Sequence, residues 1–179
     1  MIDLRTNILK TLSVLVFYLF CTSNVFAQLS DLHYLPPLKQ DSGAIVAQTI
    51  YLSTPETTPF VVNVYIGNAT SATISFTISK GNAGIFQSSN GLGDGDNNIT
   101  FVSQANTGIV LNNSGLKFES ENKEEFYVNH RGSSGYQGSS LTSKGRAALG
   151  KTFKWGGAPI IGGSPTNATL GVMATEDNT

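Results

Sequence analysis

The chain has 179 residues, a formal net charge of −1 and a single cysteine. This balance, without a Lys/Arg block, lacks the basic footprint that nucleic acid demands and the cluster that binds an anionic membrane. One cysteine cannot close an intramolecular disulfide, so stability has to come from apolar burial and backbone ladders.

Residues 1–27 differ from the rest. Arg5 and Lys10 flank the start, residues 12–20 are almost entirely apolar, and Val25 and Ala27 sit three and one positions before a cut at Gln28. That is the pattern of a secretory signal peptide, with an apolar run too short for a comfortable membrane span. Cys21 raises a rival reading, the lipid acceptor of a lipoprotein signal. Phe20, however, stands where the lipoprotein peptidase wants a small side chain, so removal of residues 1–27 is the preferred reading. The remainder has nine basic and eleven acidic residues and no cysteine. It is long enough for one domain with its own core, and no membrane insertion is expected after the signal is removed.

Residues 28–43 carry Pro36 and Pro37 and no clear period, which reads as an extended lead-in to a domain over 44–179. Residues 44–53 (AIVAQTIYLS) and 60–66 (FVVNVYI) are β-branched and apolar and are separated by Pro55 and Pro59, two strands with a short connection. Residues 72–79 (ATISFTIS) alternate strictly, with Ile74, Phe76 and Ile78 on the core face and Thr73, Ser75, Thr77 and Ser79 on the wet one. A Gly/Asn/Asp-rich loop fills 88–98, and further strands are expected at 99–103, 108–111 and 116–120.

The segment 126–157 (FYVNHRGSSGYQGSSLTSKGRAALGKTFKWGG) combines the most features. A strand pattern opens it, and the Gly/Ser run 132–140 reads as a loop. Ser143 can then cap a short helix through Ala147, Ala148 and Leu149, with Gly150 stopping it in the left-handed conformation. A strand is expected again at 152–155, and a last one at 168–174 that runs into the final residues, as in a chain truncated at the C-terminus. Short strands with turn chemistry between them predict an all-β fold, a β-sandwich or related Greek-key arrangement with one short helix.

The phrases YLSTPETTPFVVNVY, TGIVLNNSGLKFES, FYVNHRG, SLTSKGRAALGKTFKWGG and LGVMATEDNT resemble the IgGFc-binding protein N-terminal domain family. The resemblance runs from about residue 44 to residue 179. It implies a domain near the front of a large secreted surface protein, of the kind that ends in a gliding-motility-associated sorting domain. It also implies a chain that continues past Thr179. The family name reflects binding by mucosal animal relatives and does not by itself imply immunoglobulin binding.

The chemical motifs are weak. Asp94, Asp96 and Asn98 alternate as in a calcium loop, but an EF-hand next wants Gly and, later, a bidentate Glu where this chain has Ile99 and Ala105; a solvated loop is the preferred reading. His33 and His130 have no ligand partners at zinc spacing. Glu119, Glu121, Glu124 and Glu125 read as a solvated strand edge rather than an acid/base pair. There is no G-x-S-x-G elbow and no phosphate cradle, so neither an enzyme nor a cofactor is expected. Four N-glycosylation sequons, at Asn68, Asn98, Asn112 and Asn167, matter only in a host that glycosylates asparagine. The candidate ligand-binding residues are Arg131 and Arg146, taken to face each other across the segment, with Lys154 and Trp155; a lone Trp in a sheet protein is more often core, and stacking on a sugar is the alternative. The expected function is a secreted or cell-surface binding or adhesion module for an extracellular protein or glycan. A structural spacer is the alternative, and a hydrolase on an all-β scaffold is third.

Overall fold

A computed structural model describes residues 29–39, 45–134, 137–156 and 170–176. The expected signal peptide, Cys21 and the expected cut before Gln28 lie outside the described residues. Among the described residues ten strands form: β1 (Leu32–Leu35), β2 (Leu38–Lys39), β3 (Val46–Ser53), β4 (Phe60–Ile66), β5 (Ile74–Ile78), β6 (Gly84–Gln87), β7 (Phe101–Val102), β8 (Leu116–Ser120), β9 (Tyr127–Ser134) and β10 (Gln137–Thr142). Sheet I has the order β1-β8-β4-β5 and sheet II the order β10-β9-β3-β6, every pair antiparallel. A short parallel ribbon joins β2 to β7, pairing Leu38 with Phe101 and Lys39 with Val102. The fold is all-β, and its main body is sandwich-like.

Alternation explains the two layers. Phe60, Val62 and Val64 of β4 turn inward from sheet I, and Ile50 and Leu52 of β3 turn inward from sheet II. They join Ile78, Phe86, Leu116, Phe118, Phe126 and Val128 in one core cluster. Each such side chain withdrawn from water contributes roughly 1.5–3 kcal/mol. The chain crosses directly between the layers after β3, after β5 and after β8, and crosses twice more by way of β2 and β7. At the first crossing the Thr54 hydroxyl donates to Glu125 O (2.8 Å) and accepts from the Glu56 N–H (3.1 Å), tying it to the third. At the second, β6 starts close under β5: a Cβ on Gly84 would lie 2.9 Å from Phe76 Cβ.

Several expectations are corrected. The Gly/Ser run 132–140 is not a loop, because β9 continues to Ser134 and β10 returns from Gln137. Small residues serve there: a Cβ on Gly132 would come within 2.7 Å of Ile45 Cγ2. The helix is a single 3-10 turn, Gly145–Ala148; the Ser143 hydroxyl does accept the Gly145 N–H (3.3 Å), but the turn ends at Leu149 in an extended conformation and not at Gly150. Residues 108–111, 152–155 and the described part of 168–174 form no ladder, and the 99–103 strand shrinks to β7. The lead-in 28–43 supplies β1, which docks on β8 and places Leu35 in the core, and β6 has no counterpart among the expected strands. Glu119 does not guard an edge, since it sits on β8 between β1 and β4, and Glu121, Glu124 and Glu125 lie in the connection from β8 to β9.

The wet and buried faces of β5 fall as the alternation predicts, with Ser75 and Thr77 exposed. Ile78 is fully buried, whereas Ile74 and Phe76 are half-buried against the core. Ile78→Ala should therefore destabilise by about 2–5 kcal/mol, and Thr77→Ala by less than about 0.5 kcal/mol. Urea melts of the two variants that coincide would show the face assignment to be wrong.

Candidate functional site

A groove of about 1230 Å³ opens where the β2–β7 ribbon, the 104–114 loop, the turn after β4 and residues 170–176 converge. Glycines make this convergence. Gly67 has φ +58°, donates its N–H to Gly115 O (2.9 Å), and would drive a Cβ to within 2.5 Å of Asn113 Cα. A Cβ on Gly171 would lie 2.7 Å from Pro37 O, so only glycine lets this run pass so close to Pro37. Met173 in turn lies over Gly115. The lining mixes amides (Asn68, Asn106) with aliphatic groups, among them Val110 and Val172, 90% and 67% exposed. Tyr34 and Lys117 form one wall. Burial raises the Tyr34 phenol above its usual range. Lys117 Nζ is 3.0 Å from Glu119 Oε2 and 4.0 Å from the Tyr65 ring centre. Such a surface can hold a ligand by apolar contact and amide hydrogen bonds.

The four sequence-derived residues do not converge. Arg146 is used structurally: Nε donates to Asp31 Oδ1 (2.6 Å) and Nη2 to Asp31 Oδ2 (2.9 Å), while its backbone N–H reaches Ser30 Oγ (3.2 Å). This clamps the 3-10 turn to the start of β1. The hydrogen bond from Arg146 holds the Asp31 carboxyl below its ordinary value, and Asp31 pushes the Arg146 guanidinium up. Arg131 stands on the outer face of sheet II, its Nε donating to Asn129 Oδ1 (3.0 Å) and its guanidinium carbon 5.6 Å from the Tyr51 ring centre. Lys154 and Trp155 lie in an exposed run without regular secondary structure, so the core expectation for Trp155, which is 55% exposed, fails.

The calcium candidates have other partners. Asp94 Oδ1 accepts the Gln48 N–H (3.1 Å) and the Ser88 hydroxyl, and the Ser88 bond holds this carboxyl below its ordinary value. Asn98 Oδ1 accepts from Asn106 Nδ2 (2.9 Å), and Asp96 is exposed. Among the described residues no group of three or more His, Cys, Asp or Glu is placed to hold a metal ion.

Sequence reasoning overlooked a buried polar cluster. The register of β3 against β9 shifts between Val46 and Thr49, with Ala47 at φ +53°, and this bulge turns Gln48 inward. Gln48 Oε1 accepts from the Thr100 hydroxyl (2.6 Å) and from His130 Nε2 (3.0 Å), while Gln48 Nε2 donates to Gly93 O (3.2 Å). The His130 ring lies 5.7 Å from that of Phe101. His33 is fully enclosed, its Nε2 within reach of Phe126 O (2.8 Å) and Ser30 O (3.2 Å) and its Nδ1 without a partner. Two carbonyl neighbours require Nε2 to carry the proton. Phe126, Val128 and His130 share one parity in FYVNH, a pattern that marks His130 as inward-facing. The bulge that turns Gln48 inward leaves no comparable trace in the sequence.

No known protein family, curated relative or solved structure matches this chain.

Burial lowers the pKa of both histidines; for His33 the carbonyls of Phe126 and Ser30 and the charge of Asp31 oppose the shift in part. The unfolded chain, with imidazoles near 6.5, then takes up protons that the folded chain refuses. Stability is fully present above about pH 6.5 and falls as the pH drops toward the lowered folded values. Urea midpoints measured from pH 7.5 to 5 should decline in this sense, and His130→Gln should flatten the decline. An unchanged slope in the variant would remove His130 from the account.

Proposed function

We propose that the chain is a secreted or cell-surface binding module, non-catalytic and part of a larger surface protein, with an extracellular protein or glycan as its partner. The groove of about 1230 Å³ carries this reading, because it combines exposed aliphatic side chains with amide donors and acceptors. Exposed apolar groups gathered in a concavity mark binding sites more often than scattered ones do. The signal-peptide pattern and the family resemblance support the extracellular setting. Asp31, Arg146, Asp94, His33 and His130, whose pKa values are shifted, are bound up in the Asp31–Arg146 clamp, the Asp94 hydrogen bonds and buried packing and do not line the groove, which favours binding over catalysis.

The test is an array of extracellular glycans and proteins probed with the secreted protein and with Val110→Glu. N-terminal sequencing of the same material should begin at Gln28. A retained ligand whose affinity drops at least tenfold in Val110→Glu is the expected result. Absence of any retained ligand would favour a spacer, and lipid labelling of Cys21 would overturn the processing.

A further inference from the structure

The outer face of sheet II presents two cross-strand rows. Thr142, Asn129, Tyr51 and Ile85 lie in register across β10, β9, β3 and β6, and Ser140, Arg131, Thr49 and Gln87 form the next row. The four strands make a face roughly 14 Å across at about 4.8 Å per strand. Arg131 is the one formal charge in these rows.

Its guanidinium is oriented from three strands. Asn129 Oδ1 takes the Nε–H, and Asn129 is itself held by Nδ2 donating to Thr142 Oγ1 (2.9 Å) and Ser140 Oγ (3.2 Å). Tyr51 flanks the guanidinium from β3. Among the described residues the terminal nitrogens of Arg131 have no hydrogen-bond or ion-pair partner, whereas Arg146 engages Asp31 through its Nε and Nη2. A planar fork held in place by its Nε and left open at its tips matches the two oxygens of a carboxylate.

We propose that this face binds a carboxylated polysaccharide, with the uronate carboxylate on Arg131 and the surrounding Thr, Ser, Asn and Gln groups meeting sugar hydroxyls. The proposal rests on the binding-module reading but uses a surface separate from the groove. Charge complementarity sets the sign of the ligand. An acidic peptide would want buried apolar anchors in pockets, whereas the apolar groups in these rows, Tyr51 and Ile85, are exposed among hydroxyls and amides. Nucleic acid would want several cations along its backbone.

Affinity electrophoresis or calorimetry of the secreted protein with polygalacturonate tests this, beside carboxyl-reduced polygalacturonate and dextran sulfate. Binding to the uronate polymer should weaken as salt rises and be lost on carboxyl reduction. Arg131→Ala should weaken it at least tenfold, and Arg131→Lys nearly as much, because an ammonium lacks the fork; both variants should melt with the wild type. Failure of the wild type to bind, equal binding of the reduced polymer, stronger binding of dextran sulfate, or indifference to Arg131→Ala would each overturn the proposal. If the array ligand of the groove is still retained in that case, the module reading stands and only the uronate site falls; if nothing is retained, both fall.

Discussion

The structure depends on how Gln48 is satisfied. A primary amide removed from water without partners costs on the order of 1–3 kcal/mol, and this one is fully buried between the layers. Its three hydrogen bonds reach β9 through His130, the approach to β7 through Thr100 and the 88–98 loop through Gly93. The bulge that delivers it is fixed from outside, where Asp94 accepts the Gln48 N–H and Gly95 donates to Ile45 O. A left-handed Ala47 costs roughly 1–2 kcal/mol, and the polar cluster offsets that. The Gly/Asn/Asp-rich loop is thereby a structural part of the sandwich. The side-chain oxygens of Asn90, Asp94, Asn97 and Asn98 accept from backbone and side-chain donors of the protein.

The regular half of the fold was legible because period two is a strong pattern when one face is buried. β4 and β8 match their expected bounds, and β5 shows the expected faces. What escaped was decided by partners distant in sequence. The lead-in became β1 because β8 offers it a ladder. The Gly/Ser run became a hairpin because β3 pairs with β9 up to Ser133. Conversely, residues 108–111 and 152–155 have strand-like composition but no ladder, and Ile109, Phe153 and Trp155 stay exposed. Composition measures the fitness of a segment for a sheet and is silent on whether a neighbouring edge awaits it.

The site was less legible for the same reason. Arg131 and Arg146 look alike in the sequence, and only tertiary placement separates them. Asp31, on the far side of the chain, occupies one, while Asn129 and Tyr51 merely aim the other. The groove could not be foreseen at all, since it gathers segments around residues 34, 68, 106 and 172 through close backbone approaches that only glycines permit.

The clamp between Asp31 and Arg146 spans 115 positions, and His33 meets the carbonyl of Phe126 across 93. The first strand of the sandwich is thus held by almost the last described turn. A chain emerging from a ribosome or a translocation pore exposes β1 long before its partner exists. Loop closure on this scale makes assembly slow relative to helical proteins of equal size. During that interval the apolar side of β1 has no cover of its own, so β1 is the strand that must stay unengaged until residues 116–146 have arrived.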